Sequence, residues 1–183
     1  MKARVRTVTS PSLKKLIIDE GNLAPLVLVA EDDPQDSFLL RWAFEAARLK
    51  TRLHFVPEGA QAIDYLKGAR PFHDRSSTPF PDLLLLDLQM PCSDGFDVLK
   101  WLGQRPDLPP LSVVVFSGSK DPEVMERAHA LGADYYLFKP SGSQQLIRAV
   151  QHLNKHWLQG RPLKMVPDSS VSHNYGVERQ GAH

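Results

Sequence analysis

Apolar positions along this chain fall into two alternating patterns. The first is an apolar run of four or five residues, found at Leu26–Ala30, Leu53–Val56 (with His54 inside it), Leu83–Leu86, Val113–Phe116 and Tyr135–Phe138. Runs of this length predict strands, and their lack of polar alternation predicts a sheet covered on both faces. The second pattern is apolar residues at helical spacing. Asp33 is a cap with Pro34 at the first helical position, followed by a predicted stripe of Leu39, Ala43 and Ala46 flanked by Phe38, Trp42 and Leu49. A second helix is predicted over Glu58–Lys67, stopped by Gly68. A third opens at Asp94-Gly95, carries Phe96, Leu99 and Leu102, and ends before Pro106, Pro109 and Pro110. Asp121-Pro122-Glu123 caps a fourth, which stops at Gly132. The last starts near Ser141 and carries Leu146, Val150, Leu153 and Trp157 on one face.

Five strands alternating with five helices predict an α/β domain, a doubly wound five-stranded parallel sheet. Right-handed crossovers leave few topologies. In the small order 2-1-3-4-5 the switch point lies between strands 1 and 3, which places Glu31-Asp32 directly beside Asp87. The domain is read over residues 25–158. Residues 1–24 are read as an N-terminal extension, basic at Lys2, Arg4 and Arg6, in which Ser12 to Glu20 permits a short amphipathic helix. Residues 159–183 are polar and aperiodic and are read as a flexible tail. Arg70 to Pro81, with three prolines, is a long loop.

Composition narrows the function classes. The 183 residues carry a formal net charge of +1, so bulk electrostatics point to neither nucleic acid nor membrane. No apolar run approaches the roughly 18–20 residues of a membrane span. The stretch from Lys14-Lys15 through Ala30 mimics a signal peptide, but Pro25 interrupts it and Glu31-Asp32-Asp33 stands where small cleavage-site residues belong. A single cysteine, Cys92, excludes an intrachain disulfide and fits a reducing compartment. The expected location is cytoplasmic.

The candidate chemistry lies where the strands end. The first runs into Glu31-Asp32-Asp33, the third into Asp87, the fourth into Ser117 and the fifth into Lys139-Pro140. Binding sites of open parallel sheets form at that edge. Three carboxylates brought together repel unless a cation lies between them. Mg2+ suits such oxygen ligands, keeping several waters. Glu31, Asp32 and Asp87 are the candidate ligands, with the backbone carbonyl of Gln89 as another. Taken alone, Glu-Asp-Asp before proline is a solvated helix cap, and Ser117 before a glycine is a loop serine. Asp87 ends a run of four leucines whose flanks offer it no donors, so it is the candidate nucleophile toward a phosphoryl group. Lys139 would neutralise phosphoryl oxygens and Ser117 would donate to one. Pro140 biases Lys139 toward extended backbone and argues against an ordinary surface lysine.

Val29-Ala30-Glu31-Asp32-Asp33-Pro34, Leu86-Asp87-Leu88-Gln89-Met90-Pro91 with Asp94-Gly95, Phe116-Ser117-Gly118 and Tyr136-Leu137-Phe138-Lys139-Pro140 resemble the receiver domains of two-component response regulators. The resemblance covers about residues 25–158 and implies the flavodoxin-like receiver fold. It implies that Asp87 is the phospho-acceptor, Glu31 and Asp32 the acidic metal pair, Ser117 and Lys139 the phosphate contacts and Tyr136 the switch aromatic. It makes the donor a sensor histidine kinase. Phosphate would draw in the Ser117 hydroxyl, Tyr136 would turn inward, and the surface of helix 4, strand 5 and helix 5 would change its partner preference. In a finer match, the Arg70–Pro81 loop and His156-Trp157-Leu158 resemble stand-alone regulators of the bacterial phytochrome type. That match implies a phytochrome kinase as partner and a homodimer. Trp157 is then either an interface anchor or a cap on the core.

Other readings compete. A dehalogenase-type phosphatase needs a second aspartate two residues after the nucleophile, where this chain has Gln89. A flavin phosphate would be repelled by Glu31-Asp32-Asp33, and no Gly-x-Gly-x-x-Gly follows the first strand. A degenerate receiver acting only as a protein-binding module, or a phosphorelay intermediate, stays open as an alternative. No external substrate is expected to be turned over. Cys92 is read as an exposed thiol. His152 and His156, four residues apart, lack a visible third metal ligand.

Overall fold

The computed structural model describes residues 24–91 and 94–159. The extension read over 1–24 and the tail read over 159–183 fall, apart from Ala24 and Gln159, outside the described residues, as does Cys92. Five strands form one parallel sheet: β1 (Leu26–Ala30), β2 (Arg52–Val56), β3 (Leu83–Leu86), β4 (Ser112–Ser117) and β5 (Tyr135–Phe138). Their order is β2-β1-β3-β4-β5, as the sequence predicts. Between them run α1 (Pro34–Ala46), α2 (Gly59–Lys67), α3 (Gly95–Gly103) and α4 (Pro122–Ala130), and α5 (Ser143–Leu153) closes the domain. A π turn over Asn154–Leu158 extends α5. The last helix begins at Ser143 rather than near Ser141, and β2 begins one residue before its apolar run.

Alternation along each strand explains why the apolar runs are continuous. Leu28, Leu84, Leu86 and Val115 point to one face, where Ala62, Tyr65 and Leu66 of α2, Val98 and Leu99 of α3 and Ala128 of α4 cover them. Val27, Val29, Leu85 and Val114 point to the other, beneath Leu40, Ala43 and Phe44 of α1 and Leu146, Val150 and Leu153 of α5. Each successive residue of a central strand meets a different helical layer, so no position is left for a polar side chain.

Local chemistry sets the element ends. The Asp33, Asp94 and Asp121 carboxylates each accept from the first turn of the helix that follows. Gly68 closes α2 in the left-handed conformation, with φ +68°. Asp82 Oδ2 accepts the Leu26 N–H at 2.7 Å, and Asp134 Oδ2 accepts the Val113 N–H at 2.8 Å. The long loop before β3 is pinned to α2: Arg75 Nη2 donates to the Leu66 carbonyl at 2.8 Å and the Tyr65 hydroxyl to that of Pro79 at 3.0 Å.

The stripe predicted for α1 is a correction. Leu39 is 42% exposed and Ala46 is exposed, as are Phe38 and Trp42. The buried face is Leu40, Ala43 and Phe44, with Ala47 packed against it. Phe38-Leu39-Leu40 offers two helical stripes one residue apart. The stripe continued by Ala43, Phe44 and Ala47 fills the i, i+3, i+4, i+7 positions and packs on the sheet. On α5 the predicted stripe of Leu146, Val150, Leu153 and Trp157 is buried throughout. Trp157 packs on Tyr135 with ring centroids 5.0 Å apart, so it caps the core.

Candidate functional site

Strand register assembles the site. Ala30 pairs with Leu86, so Glu31 and Asp87 leave neighbouring strands side by side. The Asp87 N–H donates to the Ala30 carbonyl at 3.0 Å and holds that register one residue beyond the ladder. Ser117 pairs with Phe138 at the end of β4 and β5. The Lys139 N–H then donates to the Ser117 carbonyl at 2.9 Å, which aims the lysine back over the sheet edge.

Glu31, Asp87 and Ser117 are buried polar residues at the C-terminal end of the sheet, the first two just beyond the apolar β1 and β3. Glu31, Asp32 and Asp87 each offer a carboxylate oxygen, and the three oxygens lie within 4.8 Å of one another. This is a compact, hard-oxygen donor set, which fits Mg2+ or Mn2+. Gln89 lies beside it, its backbone N–H donating to Asp87 Oδ1 at 3.1 Å. His152 and His156 stack with ring centroids 4.4 Å apart, and among the described residues no third ligand joins them.

Lys139 is the centre of charge. Its Nζ lies 2.6 Å from Asp87 Oδ2, 2.7 Å from Glu31 Oε2 and 2.8 Å from Asp36 Oδ2. Burial alone would lower its pKa. Hydrogen bonds to Asp36, Asp87 and Glu31 outweigh that and raise it, so the ammonium stays protonated. Glu31 moves the other way from a simple ion pair. Burial raises its pKa to about 7 in spite of the lysine, and the Asp87 and Asp36 charges add to the rise. The Lys139 ammonium, shared with Asp36 and Asp87, does not offset the desolvation of Glu31.

The hydroxyl of Ser117 accepts the Ser119 N–H at 3.3 Å. Tyr136 is buried, and its hydroxyl donates to the Ser119 carbonyl at 3.1 Å. Burial raises the phenol pKa, with hydrogen bonds to Ser117 and Ser119 acting against it. The ring therefore occupies the inward position and ties β5 to the loop that follows Ser117. The residues predicted as phosphate, metal or switch groups, Glu31, Asp32, Asp87, Gln89, Ser117, Tyr136 and Lys139, converge on one edge. Asp36 was not among them. In sequence it is an acid in the first turn of a helix, which is common there for electrostatic reasons, and nothing marks it as a partner of a residue 103 positions away.

Comparison with known proteins agrees with this arrangement. Residues 27–151 match the response regulator receiver domain family. The response regulator Rcp1 from Synechocystis is 30% identical over 141 residues, covering 77% of this chain and 94% of that protein. Its Mn2+-bound crystal structure superposes with a TM-score of 0.66 at 28% identity, over 77% of this chain and 99% of that one. The response regulator RPA3017, described in red light signaling of R. palustris, superposes with a TM-score of 0.72 at 34% identity, covering 78% of this chain and 99% of the other. Matching family motifs, strand order and relatives of nearly full coverage together establish that this chain belongs to the response regulator receiver domain family of two-component systems.

Proposed function

We propose that this protein accepts a phosphoryl group on Asp87 from a sensor histidine kinase in a Mg2+-dependent reaction. The observation that carries the reading is the ammonium of Lys139 held 2.6 Å from Asp87 Oδ2, beside two further carboxylates at the sheet's carboxyl edge. An oxygen of Asp87 attacks phosphorus, and the new O–P bond forms as the P–N bond of the donor's phosphohistidine breaks. The departing imidazole keeps the electron pair. Glu31, Asp32 and Asp87, with the Gln89 carbonyl, would hold a Mg2+ ion, which supplies positive charge for the phosphoryl oxygens when bound. Lys139 neutralises a second oxygen and Ser117 donates its hydroxyl to a third. No external substrate is turned over.

The same groups couple the reaction to the surface. Drawing the Ser117 hydroxyl toward phosphate shifts the loop whose Ser119 carbonyl holds Tyr136. The surface of α4, β5 and α5 then changes its preference for a partner or a second copy of the chain. The names of the relatives support a bacterial phytochrome as the kinase: RcpA is described as a cyanobacterial phytochrome response regulator, and RPA3017 is placed in red light signaling. Among the described residues no helix is long and apolar enough to cross a membrane.

The test is phosphate-affinity gel mobility of wild type and Asp87→Asn after incubation with acetyl phosphate, with and without Mg2+. A shift that needs both the metal and Asp87 is expected. No shift in wild type, with acetyl phosphate or with a phytochrome kinase, would refute the reading.

A further inference from the structure

We infer that Asp36, in the first turn of α1, is a positioning residue that holds the Lys139 ammonium over Asp87 while the other acids are engaged. The inference rests on the reading of Asp87 as phospho-acceptor.

An ammonium has three N–H donors and no acceptor. Here the three donors face three carboxylates, those of Glu31, Asp36 and Asp87, at 2.7, 2.8 and 2.6 Å. Two of the three have other work. Glu31 and Asp87 belong to the acidic group that fits a divalent cation, and Asp87 takes up the phosphoryl group. Asp36 does neither, since its carboxylate is not one of that group. When a cation draws on Glu31 and an Asp87 oxygen becomes bonded to phosphorus, the Asp36 contact is the one that can persist. Lys139 sits on a flexible four-carbon stem, so without a fixed partner its head would swing toward solvent.

Asp36 is built to be that fixed partner. Asp33 caps α1 by accepting the Gln35 N–H at 2.7 Å, and Pro34 fixes the first helical backbone angle. Asp36 follows two residues later on a rigid helical start, where its negative charge also suits the helix N-terminus. Its side chain is 37% exposed, against 18% for Lys139. An ion pair this exposed adds little to stability, so its removal separates positioning from folding.

Four variants test this: Asp36→Ala, Asp36→Asn, Lys139→Ala and the double variant that combines Lys139→Ala with Asp36→Ala. The first readout needs no phosphorylation: hydrogen exchange of the Lys139 ammonium, followed by proton–nitrogen NMR. Exchange should be slow in wild type, clearly faster in Asp36→Ala and intermediate in Asp36→Asn, whose amide oxygen still accepts. The second readout is the initial rate of labelling by acetyl phosphate with saturating Mg2+. Asp36→Ala should be slower by about tenfold, equivalent to about 1.4 kcal/mol of barrier, with Asp36→Asn between it and wild type. Adding Asp36→Ala to Lys139→Ala should bring no further loss. Unchanged ammonium exchange in Asp36→Ala overturns the inference. So does a labelling rate equal to or above wild type, or an equal loss on both lysine backgrounds. A wild type that shows the slow ammonium but takes no label refutes the phospho-acceptor reading itself, and the role assigned to Asp36 falls with it.

Discussion

Lys139 Nζ and Asp87 Oδ2 meet at 2.6 Å, although 52 residues and two strands separate them in the chain. The contact depends on the Lys139 backbone N–H bonding to the Ser117 carbonyl, so the lysine is aimed by the sheet itself. Lys139→Ala should retain Mg2+ binding, because Glu31, Asp32 and Asp87 are untouched. It should lose most of the phosphate-driven change at the Ser119 and Tyr136 amides. Calorimetric Mg2+ titration and NMR of the two amides check this, and equal phosphate responses in wild type and Lys139→Ala would remove the lysine from the switch.

Gly95 lies under the loop that carries Asp87. A Cβ at that position would collide with the Asp87 carbonyl oxygen and come within 2.9 Å of Leu88 Cα, both backbone atoms that cannot rotate away. Helix propensity alone favours alanine over glycine by about 1 kcal/mol. Overpacking against fixed backbone costs about 1–3 kcal/mol, so Gly95→Ala should destabilise the domain in urea and slow labelling of Asp87. A stabilised variant with normal labelling would show that the loop yields.

Glu31 makes the stability of the metal-free protein depend on pH. Its folded pKa of about 7 lies above the ordinary value of 4.5. Between those values the folded state binds more protons than the unfolded state. Stability from this group is therefore full below pH 4.5 and is lost as pH rises through 7. The loss is of the order of 3 kcal/mol at most, and Glu31→Gln should flatten it. Mg2+ should restore stability most at and above neutral pH, where Glu31 is charged. Urea midpoints between pH 5 and 8, with and without Mg2+, check both signs.

Trp157 is buried against Tyr135 and the α1–α5 side of the core. Trp157→Ala should cost about 3–5 kcal/mol in denaturant unfolding. A change within about 0.5 kcal/mol, the range of surface substitutions, together with a weakened self-association, would make it an interface anchor instead.

Much of this protein is determined locally. The continuous apolar runs of β1, β3 and the core of β4 fit strands buried on both faces, and β2, with His54 in its run, is only partly buried at the sheet edge. Helices that start at aspartate followed by proline or glycine are capped by that aspartate. Right-handed crossovers leave few strand orders, and in the order 2-1-3-4-5 the polar residues that end the strands share one edge. For these reasons Glu31, Asp32, Asp87, Ser117 and Lys139 were legible as a site before any coordinates. Three features required the tertiary structure. Phe38-Leu39-Leu40 allows two helical faces, and only packing against β1, β3 and α5 selects Leu40 and leaves Leu39 in solvent. The inward place of Tyr136 depends on a carbonyl of the preceding strand's loop. The partnership of Asp36 with Lys139 joins the first helix to the last strand's exit, and side chains 103 residues apart are paired by the winding of the sheet, which no local pattern records.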